Sequence, residues 1–516
     1  MIRIFTTNEK RSKAACLCLT FLLVLSFTTE GTAEILSGEK TETVQTNEQT
    51  TTREQNPASE SDARNASDTT GSQSTTEEPS TVSESVTDGE SSDIKEGRSL
   101  EKNTTYYIPN GIYEICIRVK NESEANQKFS FQVNGFDPMG RRSIPAGKTK
   151  SITYKIAVTE GVIRVAIAPQ PGLTVTDIIM GEKQVNPKKN KTAVYFFGDS
   201  TARFYYKRKQ IGGMGEGFIK TLKEYNQCKI TSIKGRYEGM YLASMPSIDV
   251  YNYSRCGQST VSMTQKGTLN EMLCSVSQGD YVIINLGHND YLHDKVGIYA
   301  SPAAYRKNLT KIISDIRISG GIPILCSPTA MCTYRYGKTY TKLTGCEKVM
   351  KKVADETGTL YLAFGEAHRS YLDAIGESKA KNLYRYRYNG RDITHMNKKG
   401  ADIAGKILAG LITKCKSLQN INNQIATNYT PMVKAMKSVQ NLDTRRYSPV
   451  SVKRFRLTCR KQVITTFHQK AGSNRVLKSA SMIKTAKFRL SSNKITKRKK
   501  SSIKRKARTA KTRKTL

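Results

Sequence analysis

Thr192-Ala193-Val194-Tyr195-Phe196-Phe197-Gly198-Asp199-Ser200-Thr201 is the stretch on which the fold turns. From Ala193 to Phe197 it is apolar or aromatic, with no polar residue at alternate positions. A strand with one wet face alternates polar and apolar side chains; a strand buried on both faces does not. The run then stops at Gly-Asp-Ser, a turn signal. The same texture recurs at Asp280-Tyr281-Val282-Ile283-Ile284-Asn285-Leu286, which runs into Gly287, and at Ile322-Pro323-Ile324-Leu325-Cys326, which follows a helical stretch over Tyr305–Ser319. Such strands alternating with helices predict an α/β domain over 189–416, a parallel sheet covered on both faces. In such folds the active site lies at the carboxyl ends of the strands.

Upstream, the texture over 99–188 is different. Gly111-Ile112-Tyr113-Glu114-Ile115-Cys116-Ile117-Arg118-Val119 alternates with period two. Shorter runs at 105–108, 128–133, 151–156 and 162–167 continue it, punctuated by Asn-Gly, Asp-Pro and Pro-Gly pairs. Short strands at this spacing predict a small all-β sandwich. The chain has no Trp, the commonest stacking platform for a sugar, although Tyr can substitute. Sugar binding and a packing role both stay open for this module.

The chain has 516 residues, 83 Lys+Arg against 44 Asp+Glu and a formal net charge of +39. Only 37% of it is hydrophobic, which excludes a polytopic membrane protein. The charge is uneven. Residues 34–98 hold 15 acids and 5 bases and are Ser/Thr/Glu-rich, whereas 417–516 hold 27 bases and one acid, Asp443. The first segment reads as a disordered acidic linker, unable to bury enough apolar surface to order itself. The second reads as a basic low-complexity tail. It is a disordered tether to an anionic wall polymer, or the product of a frameshift. Nucleic-acid binding is not expected, because the chain carries a secretory address. Lys10, Arg11 and Lys13 precede the apolar run Ala14–Phe27, and Gly31-Thr32-Ala33 supplies small residues at a cleavage site. That is the grammar of a signal peptide over 1–33, with an uncleaved anchor as the alternative. It predicts an extracellular protein, free or held at the cell surface. Nine cysteines remain beyond the signal, an odd number at irregular spacing without a CxxC pair. Neither a zinc site nor a disulfide-built scaffold is indicated.

Four polar blocks follow strands of the α/β segment. They are Gly198-Asp199-Ser200-Thr201, Asn252–Ser259, Gly287-His288-Asn289-Asp290 and Asp392-Ile393-Thr394-His395, the last just before a helix over Gly400–Ile412. Singly each is weak; Asp-x-x-His is often a local pair, and His288 alone reads as a structural hydrogen-bonding histidine. In this order they supply what acyl transfer needs: a nucleophile, a base, a group that orients the base, and oxyanion donors. Ser200 on a tight turn is the candidate nucleophile, His395 its base and Asp392 the orienting carboxylate. The oxyanion donors would be the backbone N–H groups of Ser200 and Gly257 and the side-chain amide of Asn289. Gly257 leaves room for an acyl group. Asp199 and His288 are supporting candidates.

These blocks resemble the SGNH (GDSL-like) hydrolases, and most closely the rhamnogalacturonan acetylesterase group. The resemblance rests on Gly-Asp-Ser-Thr, on Gly279-Asp280-Tyr281-Val282-Ile283 leading to Gly-His-Asn-Asp, and on Asp-x-Thr-His followed by Lys399-Gly400-Ala401. It covers about 192–415. It implies a flavodoxin-like three-layer α/β fold, no metal or other cofactor, and removal of O-acetyl groups from acetylated plant cell-wall polysaccharide, pectic rhamnogalacturonan in particular. The sandwich is similar to the β-domain fused to some bacterial relatives. Two blocks depart from the group. Gly257-Gln258-Ser259 stands where Gly-Arg-Ser is usual, and Gly213-Met214-Gly215 where Gly-Trp-Gly is usual. Both leave the triad intact and bear on the sugar-binding wall. Other acyl esters (acetylated xylan, peptidoglycan) and a non-catalytic wall-binding protein are the alternative readings. The segment Thr333–Thr344, rich in Tyr, Lys and Arg, is either a contact for an acidic polymer or a solvated loop.

Overall fold

The computed structural model describes residues 97–490, apart from 139, 236–238, 293 and 388–389. The predicted signal peptide, the predicted linker up to residue 96 and the last 26 residues lie outside the described residues. Residues 97–180 form antiparallel sheets. In the largest, β1 (Gly111–Asn121) lies between β2 (Thr149–Val158) and β3 (Leu173–Met180), with Arg98–Ser99 beyond β3. A three-stranded sheet contains Thr105–Tyr107, Val162–Ala166 and Gln132–Val133. Alternate residues of β1 (Tyr113, Ile115, Ile117, Val119) share one apolar core with Val133 and Val165 of the smaller sheet. Asn270, in a helix of the following segment, reaches the open edge of β2. It accepts from the N–H of Ala157 at 2.9 Å and donates to the carbonyl of Lys155 at 2.9 Å.

The α/β segment is built on a seven-stranded sheet. Its strands are β4 (Thr192–Gly198), β5 (Lys229–Ser232), β6 (Tyr241–Ser244), β7 (Ile248–Asn252), β8 (Tyr281–Asn285), β9 (Ile322–Cys326) and β10 (Leu360–Leu362). The order across the sheet is β5-β6-β7-β4-β8-β9-β10. From β7 to β10 the strands are parallel, as the sequence predicts. β5 and β6 are antiparallel additions, so the sheet is mixed. The reason is local: only Met245-Pro246-Ser247 separates β6 from β7, too short for a parallel crossover.

The apolar run of β4 is buried on both sides. Val194 and Phe196 point into one core with α1 (Met214–Ile219), α5 (Phe364–Ile375) and α6 (Lys398–Ile412). Ala193, Tyr195 and Phe197 point into the other, with α3 (Pro302–Ile318) and α4 (Thr344–Thr357). Val194 through Phe197 are all fully buried, each contributing about 1.5–3 kcal/mol of burial energy. α1 and α6 meet at Gly217 and Gly405, where a Cβ on Gly405 would fall 2.1 Å from the carbonyl carbon of Gly217. Asn397 caps α6 by accepting from the N–H of Gly400 at 2.9 Å.

The basic C-terminal region departs from the sequence expectation. Over 417–490 it is not a disordered tail: it folds as helices, including α7 (Thr430–Gln440), α8 (Pro449–Phe467) and α9 (473–490). Phe455, Cys459, Val463 and Phe467 recur at i, i+4, i+8 and i+12 and enter the same core as Phe196. Composition hid this, because lysines and arginines occupy the other faces of an amphipathic helix. Phe467 packs edge-on to Tyr371 of α5 at 5.3 Å and stacks on Tyr429 at 5.7 Å. His468 hydrogen-bonds the Tyr371 hydroxyl at 2.7 Å. The segment Thr333–Thr344 is a short hairpin, with Tyr334–Arg335 paired to Lys338–Thr339 and Lys338 donating to the carbonyl of Gln440 at 2.7 Å. All nine described cysteines are free thiols.

Phe467→Ala is expected to lower stability by about 3–5 kcal/mol, read as a fall in Tm of the whole chain. An unchanged Tm would return this region to the status of a loose tail.

Candidate active site

The order of the strands gathers the polar blocks. The chain leaves β4, builds β5 to β7 on one side, then crosses to β8 on the other. β4 is therefore the point where the winding reverses, and a crevice opens beyond the carboxyl ends of its neighbours. Ser200 lies two residues past β4, Gly257 follows β7, and Asn289 sits in α2 (His288–Leu292) after β8. Asp392 and His395 approach from β12 (Gly390–Met396), which pairs with β11 (Tyr384–Arg387) in a separate two-stranded ribbon. The sequence places this block at a strand end before the final helix; it lies instead within a strand, and that strand is outside the main sheet.

Ser200, His395 and Asp392 form one hydrogen-bonded line. Ser200 Oγ lies 2.9 Å from His395 Nε2, and His395 Nδ1 lies 2.8 Å from Asp392 Oδ2. The carboxylate can only accept from Nδ1, so the Nδ1–H tautomer leaves Nε2 open to the serine hydroxyl. Asp392 Oδ1 also accepts from the backbone N–H groups of Thr394 at 2.8 Å and His395 at 2.9 Å. Burial alone would raise the Asp392 carboxyl. The hydrogen bonds from the His395 ring and backbone, the His395 charge and the Thr394 N–H outweigh it and hold the group well below the usual carboxylate range. The Asp392 side chain is 9% exposed and the His395 side chain 24%. The orienting group is thus shielded while the imidazole reaches the crevice.

The remaining predicted residues divide between crevice and support. Asn289 donates through Nδ2 to the carbonyl of Gln258 at 2.8 Å, which sets its amide beside the Gly257 peptide. Gly257 has φ +69°, a conformation that favours glycine. A Cβ there would meet nothing within 4 Å, so backbone conformation rather than crowding calls for this residue. Asp199 is fully buried, and its Oδ1 accepts from both the N–H and the hydroxyl of Thr201 at 2.8 Å, tying the turn that carries Ser200. His288 is a buried structural group whose Nε2 donates to the carbonyl of Thr329 at 2.8 Å. Among the described residues no cluster of His, Cys, Asp and Glu could hold a metal ion.

Three residues that the sequence reading passed over brace this site. The Tyr205 hydroxyl donates to the carbonyl of Ser200 at 3.0 Å. Burial, then the neighbouring Cys256, pushes this phenol far above its ordinary value, so it stays a donor. The Tyr205 N–H donates to Glu216 Oε2 at 3.0 Å, and Lys398 Nζ donates to the Tyr205 carbonyl at 2.8 Å. Lys398 also pairs with Glu216 Oε1. Because Lys398 lies three residues beyond His395, this ion pair ties the serine turn to the histidine strand. Two signals were legible: an acid between glycines in Gly215-Glu216-Gly217, and a lysine opening a helix, where the macrodipole disfavours cations.

Residues 194–408 match the family model of GDSL-like lipase/acylhydrolase domains. Among curated proteins, the chain is 25% identical over 217 residues to the probable rhamnogalacturonan acetylesterase YesY of Bacillus subtilis (strain 168). That match covers 42% of this chain and 90% of the relative. It is also 25% identical over 170 residues to the rhamnogalacturonan acetylesterase RhgT of the same organism, covering 31% of this chain and 72% of RhgT. Among solved structures it is similar to the YxiM protein of Bacillus subtilis at 20% identity and a TM-score of 0.36, over 60% of this chain and 79% of that one.

Asp290 provides a test of the buried floor beneath Asn289. Its Oδ1 accepts from the Thr260 hydroxyl at 2.6 Å and N–H at 2.9 Å. Burial nevertheless pushes its carboxyl up to about 7. A group with a raised folded-state value binds its proton more tightly folded than unfolded. Its contribution is therefore fully present below the ordinary carboxylate range and is lost as pH rises through 7. Asp290→Asn keeps the acceptor and is expected to flatten that decline, measured by urea unfolding at pH 4.5 and 7.5. A slope equal to wild type would contradict this reading.

Proposed function

From the match of residues 194–408 to the family model of GDSL-like lipase/acylhydrolase domains, we propose that the protein is a secreted serine esterase that removes O-acetyl groups from pectic polysaccharide, rhamnogalacturonan in particular. The observation that carries the chemistry is the line from Ser200 through His395 to Asp392, two hydrogen bonds of 2.9 and 2.8 Å at the carboxyl end of the central strand. The substrate class is supported by YesY and RhgT, whose names give rhamnogalacturonan acetylesterase activity. Secretion is supported by the charged, apolar and small-residue grammar of 1–33.

In this mechanism Ser200 Oγ attacks the acetyl carbonyl while its proton passes to His395 Nε2. Asp392 holds the ring in the Nδ1–H tautomer and stabilises the imidazolium that forms. The carbonyl oxygen becomes an oxyanion received by the N–H groups of Ser200 and Gly257 and by Asn289 Nδ2. Asn289 already donates to the Gln258 carbonyl, so its amide is preoriented rather than mobile. As the C–O bond to the sugar breaks, His395 returns the proton to the leaving hydroxyl oxygen. Water, deprotonated by His395, then attacks the acetyl-serine, and acetate leaves as Ser200 recovers its proton.

The test is acetate release by the full chain from acetylated rhamnogalacturonan and acetylated xylan. Truncation at 416 is avoided, because it would strip α7 to α9 from the core. Release fastest on the pectic substrate is expected. It should be abolished in Ser200→Ala and reduced about 10²–10³-fold in Asn289→Ala. Faster release from xylan would keep the serine and overturn the substrate; undiminished release by Ser200→Ala would overturn the mechanism.

A further inference from the structure

Helices α8 and α9 present a surface that the esterase reading leaves unused. Residues 449–490 contain eleven Lys and Arg and no acid. Their inward faces are in the core, but their outward faces are not simply polar. On α8, Val450, Arg454, Leu457 and Lys461 recur at i, i+4, i+7 and i+11, which is one helical face. Val450 is 69% exposed and Leu457 65%. On α9 the same spacing gives Leu477, Ser481, Lys484 and Phe488, with Leu477 56% and Phe488 73% exposed. Large apolar side chains and cations thus share both outward faces. Between the helices runs a groove of about 450 Å³, lined by Arg454, Lys478 and Arg489 together with Phe455, Met482 and Leu490. The last 26 residues of the chain add twelve Lys and Arg and no acid.

We infer that the α8–α9 surface docks the protein on an anionic lipid membrane. Charge complementarity requires a negatively charged partner. A soluble polyanion, whether glycan or nucleic acid, would satisfy the cations but leave Leu457 and Phe488 in water. A bilayer with anionic headgroups takes both, seating apolar side chains at the headgroup–acyl boundary and cations among the phosphates. No helix among the described residues is long and apolar enough to cross a membrane, so the contact is interfacial. The groove is large enough for a phosphate headgroup, which Arg454 and Lys478 would receive, with the exposed Met482 beside it.

Cosedimentation of the full chain with vesicles tests this. Phosphatidylcholine vesicles containing a quarter phosphatidylglycerol are expected to bind the protein, and pure phosphatidylcholine vesicles are not. The double substitution Leu457→Ser, Phe488→Ser leaves the charge intact and alters only exposed positions. It should weaken binding about tenfold or more while helicity and acetate release stay unchanged. Lys461→Gln with Lys484→Gln should weaken binding and reduce its salt dependence. A chain ending at Leu490 should still bind. No binding to the anionic vesicles would overturn the inference. So would wild-type binding by the Leu457→Ser, Phe488→Ser chain, or complete loss of binding on removing 491–516. Binding to soluble polygalacturonate or heparin as tight as to the vesicles, unaffected by that double substitution, would assign the surface to a polyanion instead.

Discussion

The crevice depends on the parallel pairing of Thr192–Gly198 with a neighbour on each side. A strand in that position has no wet face, so every residue from Ala193 to Phe197 must be apolar and must find a separate core above or below the sheet. Satisfying that requirement fixes the geometry of the crevice. β8 ends level with β4 and β7 two residues earlier, opposite Phe196, and the loops leaving them open on the same side. The Ser200, Gly257 and Asn289 backbones arrive together because their strands are in register, not because the loops seek one another. Only the His395 ribbon comes from outside the sheet.

That outside origin explains the brace. Ser200 and His395 are 195 residues apart in sequence, and a small relative displacement would separate Oγ from Nε2. Glu216 and Lys398 tie the helix behind the serine turn to the helix behind the histidine strand, and Tyr205 hands that restraint on to the Ser200 carbonyl. Gly217 and Gly405 allow the same two helices to touch backbone to backbone. The line of two hydrogen bonds is therefore held at both ends by buried polar and close-packed contacts. Such preorganisation lets a serine esterase work without reorganising its donors during the reaction.

Much of this was legible in the residues. Continuous apolar strands ending in Gly-Asp-Ser and Gly-His-Asn-Asp announce a covered sheet and where its crevice lies, and Asp392 with His395 could be paired by spacing. The mixed sheet was less legible, because β5 and β6 are short and only the tight turn at 245–247 betrays their direction. The brace escaped because its members are scattered over nearly two hundred residues and only tertiary contact makes Glu216 and Lys398 a pair. The helices over 417–490 escaped for a different reason. A composition with one acid and many cations resembles a disordered tail, and the periodic Phe455, Cys459, Val463 and Phe467 are few enough to be masked by it. Periodicity, not composition, carried the information there.

The central claim is that Ser200 is the nucleophile and His395 its base. It is tested most directly by treating the full chain with a fluorophosphonate and locating the adduct by mass spectrometry. One adduct is expected, on the peptide carrying Ser200, with labelling strongly slowed in His395→Ala. A folded chain that takes no label, or takes it on another serine, would contradict the claim.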